Sequence, residues 1–385
     1  MRFLPVFLIG TAPFWMTSVV QGGVSFSTEP LIRVRLGEAQ PEVRIRGYDL
    51  QFQGQKGADR SSEWRAVCSA QGVRLTRKDR VEAIREWKSA VQIRTPGGFL
   101  RWGDVQVRDL LTVRPNPKQP RTCDVINELQ LERYLIGVVN GEFNSKWATS
   151  AIEAQVIAAR TYALNEMQRT RQAHFDLESS VKDQVYDGSK KEDHLAARAV
   201  QTTRGKVLVA AADSSQPMRT FYHSTCGGLT ELPEKVWGRF FPGLKRRVSC
   251  PFCKESPKYK WQVELTAEEM QKKLGLPEAH KRIFQLILEP EEGGRVRTVK
   301  WVPSQGVPQV FSGVEFRKRL GTKDFPSSRF EVTRLGDRFV FRGGGYGHGV
   351  GLCQWGAKVM GEQGYSSEAI LRHYFPDARM KVLYQ

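Results

Sequence analysis

Two short stretches hold most of the side chains in this chain that could do chemistry. The first, RGGGYGHGVGLCQWGA, runs from Arg342 to Ala357 and sets seven glycines beside Tyr346, His348, Cys353, Gln354 and Trp355. A nucleotide-binding loop would need G-x-G-x-x-G, or a terminal Gly-Lys-Ser/Thr, and no register supplies either. The second is a pair of knuckles. HSTC sets two residues between His223 and Cys226, and CPFC sets two between Cys250 and Cys253. One histidine and three cysteines in two such knuckles suit a tetrahedral zinc, structural because all four ligands are protein. The 23 residues between the knuckles slightly exceed a zinc-ribbon span. Disulfides are the competing use, since an exported protein permits them and six cysteines allow about fifteen full pairings. On the zinc reading Cys68 and Cys123 could pair, leaving Cys353 free.

The elements that must position these residues show in the patterning. LIRVRL and EVRIRG alternate apolar and basic residues with period two, and RVEAIREW, SAVQIR and VQVRDLLTV continue the strand pattern. RPNPKQP, residues 114–120, closes this β-rich part with three prolines, so a boundary is placed between residues 28–115 and 120–385. Beyond it, Ser150 and Glu153 form the Ser-x-x-Glu pattern that starts a helix. Ile152, Val156 and Ala163 repeat along that helix, and Arg160 falls on the same stripe. A cation on a buried face needs a partner or a function, because unpaired burial is costly. SSRFEVTRLGDRFVFRG reads as a hairpin turning at Gly336-Asp337, and the glycine-rich stretch leaves its second strand. A short helix through QWGAKVM follows. A last one over SSEAILRHYF is capped near Ser366 and stopped before Pro376. The fold class is α+β, with a motif helix packed on sheet after a small, mostly β domain.

At the N-terminus, Arg2 precedes an uncharged stretch, residues 3–20, and small residues follow in QGGVS. This is the form of a secretory signal ending near residue 25, with a retained membrane anchor as the alternative. The formal charge of +18 suits a polyanion such as an acidic cell wall. It is spread along the chain with no basic arm, which argues against nucleic acid as the partner.

Three ordered segments resemble the SpoIID/LytB family: YLIGVVNGEFNSKW…EAQVIAARTYAL, FYHSTCGGLTELPEKVWG and GYGHGVGLCQWGAKVMGEQGYSSEAILRHYFPDARM. SGVEFRKRLG and SSRFEV also look like its pattern. The resemblance covers roughly residues 120–385; residues 28–115 resemble nothing we can name. Phe143 stands where the family commonly has methionine, and Cys353 where it has serine. The resemblance implies a lytic transglycosylase of peptidoglycan, which cuts between N-acetylmuramic acid and N-acetylglucosamine without water and leaves a 1,6-anhydro end. One carboxyl suffices for that, and the family's catalytic glutamate carries over to Glu142. Apolar surroundings would raise its pKa, as a general acid requires. The glycine-rich stretch would then line a glycan groove where backbone approaches closely, with Tyr346, His348 and Gln354 touching sugar hydroxyls. Arg160, Tyr222 and Ser224 are further substrate-binding candidates. Other family members are described as non-catalytic wall-binding proteins that enhance an amidase, so the partners implied are glycan strands and a cell-wall amidase.

Overall fold

The computed structural model describes residues 28–55, 63–77, 84–96, 98–211, 214–277 and 283–385. The expected leader over residues 1–25 and the start of RVEAIREW, residues 80–83, lie outside them. Among the described residues no helix is long and apolar enough to cross a membrane.

The alternating N-terminal segments form two six-stranded sheets. One runs in the order 177–178, 31–40, 123–130, 110–115, 91–94, 51–52. The other runs 84–87, 72–77, 63–69, 43–46, 100–102, 105–107. In VRIR, Val43 and Ile45 point inward and Arg44 and Arg46 outward, as a half-buried strand requires. Trp64, Leu75, Val91, Ile93, Leu111 and Val113 fill the space between the sheets, and a Cys68–Cys123 disulfide staples one sheet to the other. The proline-rich segment does not separate two sheets. The strand beyond it, Cys123–Gln130, pairs with both Leu31–Gln40 and Leu110–Pro115. Ile32, Val34 and Leu129 of this shared sheet belong to the next core.

That core is built on helices. α1 (Leu131–Glu142) occupies the run that reads locally as a strand, LIGVV. Leu131, Tyr134, Leu135, Val138 and Val139 recur at helical spacing and are all buried, so packing on one face outweighs the β-branched Val138-Val139 pair. α2 (Thr149–Arg169) is buried on nearly every side. Its N-cap is Ala148, with no side-chain cap bond. The Ser150–Glu153 box does not form because Ser150 already lies in the first turn, where Ala148 O takes the N–H groups of Ala151 and Ile152. α3 (His194–Thr202) is capped by Asp193, and α4 (Pro233–Trp237) is short. α2 packs against α3 and against the strand Lys206–Val209, which pairs with Arg379–Val382.

Residues 261–343 fold around a third core rich in phenylalanine, with Phe316, Phe325, Phe330, Phe339 and Phe341 around Trp261 and Trp301. Two three-stranded sheets, α5 (Ala267–Leu274) and α6 (Gly313–Leu320) enclose it. The hairpin Phe330–Leu335/Arg338–Gly343 turns at Gly336-Asp337. The chain then re-enters the helical core through the glycine-rich stretch, α7 (Gln354–Glu362) and α8 (Ser367–Tyr374), the last capped by Ser366.

Candidate functional site

Glu142 is the last residue of α1, and no basic residue stands in that turn. Burial raises its pKa, and one hydrogen bond, from the Val185 N–H to Oε1, works in the opposite direction. Among the described residues no charged neighbour contributes to the shift, and the negative end of the helix dipole favours the protonated form as well. The segment bringing Val185 there packs along a glycine stripe. A Cβ on Gly141 would lie 2.4 Å from Val185 O, and one on Gly137 would lie 2.7 Å from Gly188 O. The spacing of these glycines by one turn is what lets residues 184–188 lie flat on α1.

A row of hydrogen bonds runs beneath the carboxyl. Tyr134 Oη donates to Gln184 Oε1 (2.9 Å), and Gln184 Nε2 donates to Tyr222 Oη (3.1 Å) and Ala159 O (3.2 Å). Burial first, then the nearby Glu142 charge, raises the pKa of both tyrosines well above the usual phenol value, so both keep their protons. Gln354, at the start of α7, donates from Nε2 to the Glu142 carbonyl at 2.9 Å, and so ties the end of α1 to the glycine-rich stretch. Phe143 meets Trp147 edge-on at 4.6 Å, and Trp147 meets Trp355 at 5.3 Å, giving an aromatic wall beside the same helix end.

The glycine-rich stretch crosses the site with Gly345, Gly347, Gly349 and Gly351 at φ of 85°, 107°, 85° and 73°. Only glycine takes this alternation readily. It brings Tyr346 into a bridge with Thr225, and Val350 into one with Glu231. His348 is held by backbone on both sides: Nδ1 accepts from the Val350 N–H at 3.1 Å, and the ring also bonds the Tyr222 backbone. Burial drives its pKa well below the usual value, so the ring is neutral. It packs on Trp237 with centroids 5.0 Å apart. Ser224 acts chiefly through its backbone, its carbonyl accepting from the Trp355 N–H that opens α7. Tyr222, Gln354 and Glu142 are thus brought together, His348 adjoins Tyr222, and Ser224 and Tyr346 flank them.

Arg160 is not among them, which corrects its reading as a substrate contact. Its side chain is fully buried and forks onto Glu132, Nε to Oε1 at 2.9 Å and Nη2 to Oε2 at 2.7 Å. The carbonyls of Lys206 and Val200 take its remaining donors. The partner that a buried cation needs is supplied from α1.

The cysteines also require a correction. The four sulfurs of Cys226, Cys250, Cys253 and Cys353 lie within 4.8 Å of one another, all buried, and His223 is outside the group. The register explains the exchange. His223 pairs in parallel with Cys353, and its ring turns instead to donate from Nδ1 to Val350 O at 3.1 Å. Burial, with Arg295 nearby, pushes His223 down to about 3, so it stays neutral. The cysteine set fits zinc. Four thiolates at the ~2.3 Å Zn–S bond of a tetrahedral site match this clustering, and no pair of the four is disulfide-bonded. Tyr374 Oη lies 3.1 Å from Cys250 Sγ, and the Cys226 N–H points at Cys353 Sγ at 3.3 Å. A zinc tetrathiolate carries net negative charge, and the buried Arg295, 3.5 Å from the Cys226 carbonyl, is a cation beside it. Cys353 immediately precedes Gln354, so the cluster anchors the residue that holds Glu142.

Sequence reasoning missed Gln184, Val185 and Tyr134, whose roles come from packing across the glycine stripe. Cys353 was within reach of arithmetic, because removing a Cys68–Cys123 pair leaves four cysteines, a complete tetrahedral set.

Comparison with known proteins bears on residues around this site. The SpoIID family, described as stage II sporulation protein, matches residues 119–209, which include α1, α2 and Glu142. A domain of unknown function matches residues 251–351, the third core and most of the glycine-rich stretch. An uncharacterized protein of Brachyspira hyodysenteriae is 28% identical over 361 residues, 91% of this chain and 93% of its own length. The amidase enhancer of Bacillus subtilis is 26% identical over 291 residues, 63% of this chain and 39% of its length. Stage II sporulation protein D of Bacillus subtilis is 32% identical over 265 residues, 65% of this chain and 74% of that protein. With that identity carried across most of the sporulation protein, and the family match lying on the helix that ends in Glu142, the chain belongs to the SpoIID/LytB family.

Proposed function

We propose that the protein is an exported lytic transglycosylase that cuts the glycan strands of peptidoglycan between N-acetylmuramic acid and N-acetylglucosamine, with Glu142 as acid and then base. A cell-wall role is supported by its sporulation and amidase-enhancer relatives. The observation that carries the finer reading is a desolvated carboxyl: burial raises the pKa of Glu142, no charge among the described residues contributes to that shift, and Asp183, the other carboxyl acting on Tyr134, is taken by the Tyr162 hydroxyl and the Glu178 N–H. A glycosidase that uses water works with two facing carboxyls, whereas an internal nucleophile needs one. Glu142 gives its proton to the glycosidic oxygen as the bond from muramic C1 breaks. The C6 hydroxyl of the same sugar then bonds to C1 and returns its proton to Glu142. Atoms balance without water, and the carboxyl is ready for another cycle. The Val185 N–H fixes Oε1, leaving Oε2 to carry the proton, and the nearby Tyr222, bonded through Gln184, keeps its own proton.

Zinc held by Cys226, Cys250, Cys253 and Cys353 would supply stability, bracing Cys353 and hence Gln354. The Cys68–Cys123 disulfide supports export, since such bonds persist in oxidising compartments. In the test, Glu142→Gln keeps the shape and removes the proton. Turnover of purified glycan strands should fall by roughly 10²–10⁴-fold while strand binding persists; equal activity in the variant would refute the assignment. The second reading, a wall-binding enhancer of an amidase, is favoured by the amidase-enhancer relative alone. It predicts amidase stimulation that Glu142→Gln leaves intact.

A further inference from the structure

Beside Tyr222 a cavity of about 660 Å³ opens between the helical core and α6 of the third core. Its size is that of a small-ligand site, which runs to roughly 300–1,000 Å³, and its wall is strongly cationic. Arg239 and Lys318 line it, exposed and in no salt bridge among the described residues, with Glu315 the one carboxylate whose field reaches Lys318. Arg317 lines it as well, aimed by the Phe325 carbonyl at 3.1 Å and likewise without a carboxylate. Arg219 and Arg169 share one carboxylate, Glu166. The one acidic side chain of the wall among the described residues, Asp183, is occupied by the Tyr162 hydroxyl at 2.6 Å and the Glu178 N–H at 2.9 Å. Cations gathered this closely repel one another unless an anion joins them.

The same wall carries aromatic faces. Trp237 is 37% exposed, and Phe221 packs against it at 4.5 Å. Cation and aromatic face together are chemistry for a sugar that bears a carboxylate: the ring stacks on the indole, and a guanidinium forks onto the acid. Tyr222 links the cavity to the Glu142 site, since it lines the one and its hydroxyl belongs to the hydrogen-bond row through Gln184 at the other.

We propose that this cavity receives the carboxylate-bearing part of the glycan strand, and that α6, from the region whose family model is a domain of unknown function, thereby selects muramic-acid strands over neutral ones. The carboxylate is either the lactyl group of a bare muramic acid or a terminus of its attached peptide. The proposal rests on the glycan-strand reading of the Glu142 site, and it is tested by binding, which does not require cleavage.

The ligands are a neutral N-acetylglucosamine oligomer, a peptide-free muramic strand, the same strand with its lactyl carboxylates amidated, and a peptide-bearing strand. Each is titrated calorimetrically into full-length Glu142→Gln protein, with and without Arg239→Gln/Lys318→Gln. These two positions are exposed and in no salt bridge, so the fold should be retained, and an unchanged melting curve checks it. Arg317→Gln is the second variant. Muramic strands should bind at least about tenfold more tightly than the neutral oligomer, as a lost charge-assisted contact predicts. Each variant should erase that preference and leave the neutral oligomer within about twofold. Loss on amidation assigns the lactyl carboxylate; preference kept only by the peptide-bearing strand assigns the peptide. Equal affinity of the parent protein for neutral and acidic strands, or equal weakening of both by the variants, would overturn the proposal. Selective binding without any cleavage by the unmodified protein would sink the transglycosylase and leave the cavity assignment standing.

Discussion

Replacing Arg160 by methionine keeps the length of the side chain and removes its charge and all its donors. Glu132 would then remain buried, 5% exposed, with only the Tyr384 hydroxyl at 2.6 Å and the Gly205 N–H at 3.4 Å to hold it. Breaking a buried pair from one side costs about 3–5 kcal/mol. That is a large share of the roughly 5–15 kcal/mol that stabilises a domain. At ~2–4 °C per kcal/mol for a domain of this size, the melting temperature should fall by about 6–20 °C. The double variant Arg160→Met/Glu132→Leu removes the stranded carboxylate and should recover at least half the loss, with the Tyr384 hydroxyl now missing its acceptor. Thermal denaturation followed by circular dichroism reads both variants. Glycan affinity, measured well below either transition, should match the unmodified protein. An Arg160→Met protein that melts normally but no longer binds glycan would refute the buried-pair account and restore Arg160 to the substrate.

The purified protein should carry close to one zinc per chain by elemental analysis. Cys353→Ser should lose it and lower the melting temperature, whereas His223→Ala should keep it; the opposite pattern would return the fourth ligand to His223. The raised pKa of Glu142 makes a pH prediction. Activity should fall on the alkaline side as pH rises through a value above the ordinary glutamate pKa, because the acid step needs the proton. The same group binds its proton more tightly when folded. The stability it contributes is full below its unfolded pKa and is lost as pH rises through its folded one. Melting curves of Glu142→Gln should therefore gain on the unmodified protein as pH rises through that window, and a constant difference would contradict the burial argument.

What was legible in the sequence was local or strongly periodic. The hairpin at Gly336-Asp337, the cap at Ser366 and the alternation of the N-terminal strands depend on neighbours a few residues apart, and each is found. The run LIGVV failed because β-branched residues look like strand until Tyr134 and Leu135 are counted on the same helical face. Arg160 announced that it needed a partner, but Glu132 stands 28 residues earlier on another helix, and no pattern within α2 could name it. The Ser150–Glu153 pair had the right spacing, but the helix starts one residue before Ser150. Motif proximity points to His223 as the fourth ligand and leaves Cys353 free, whereas the metal set is decided by the parallel pairing of Tyr222-His223 with Leu352-Cys353. The glycines of the stretch from Arg342 were read as allowing close approach. Backbone does approach closely, a Cβ on Gly345 or Gly351 falling 2.7 or 2.2 Å from the Thr225 or Phe221 carbonyl oxygen; four of the glycines also take left-handed backbone, and the stretch reaches Glu142 through Gln354.

The claim that a single carboxyl works here without water is tested most directly by the ends it leaves. Purified glycan strands are incubated with the protein, and the products are resolved by mass spectrometry before any chemical reduction. The account predicts muramic ends in the 1,6-anhydro form, each lighter by one water than a reducing end and absent with Glu142→Gln. Reducing muramic ends would contradict it, because they require a water and a second group to activate it.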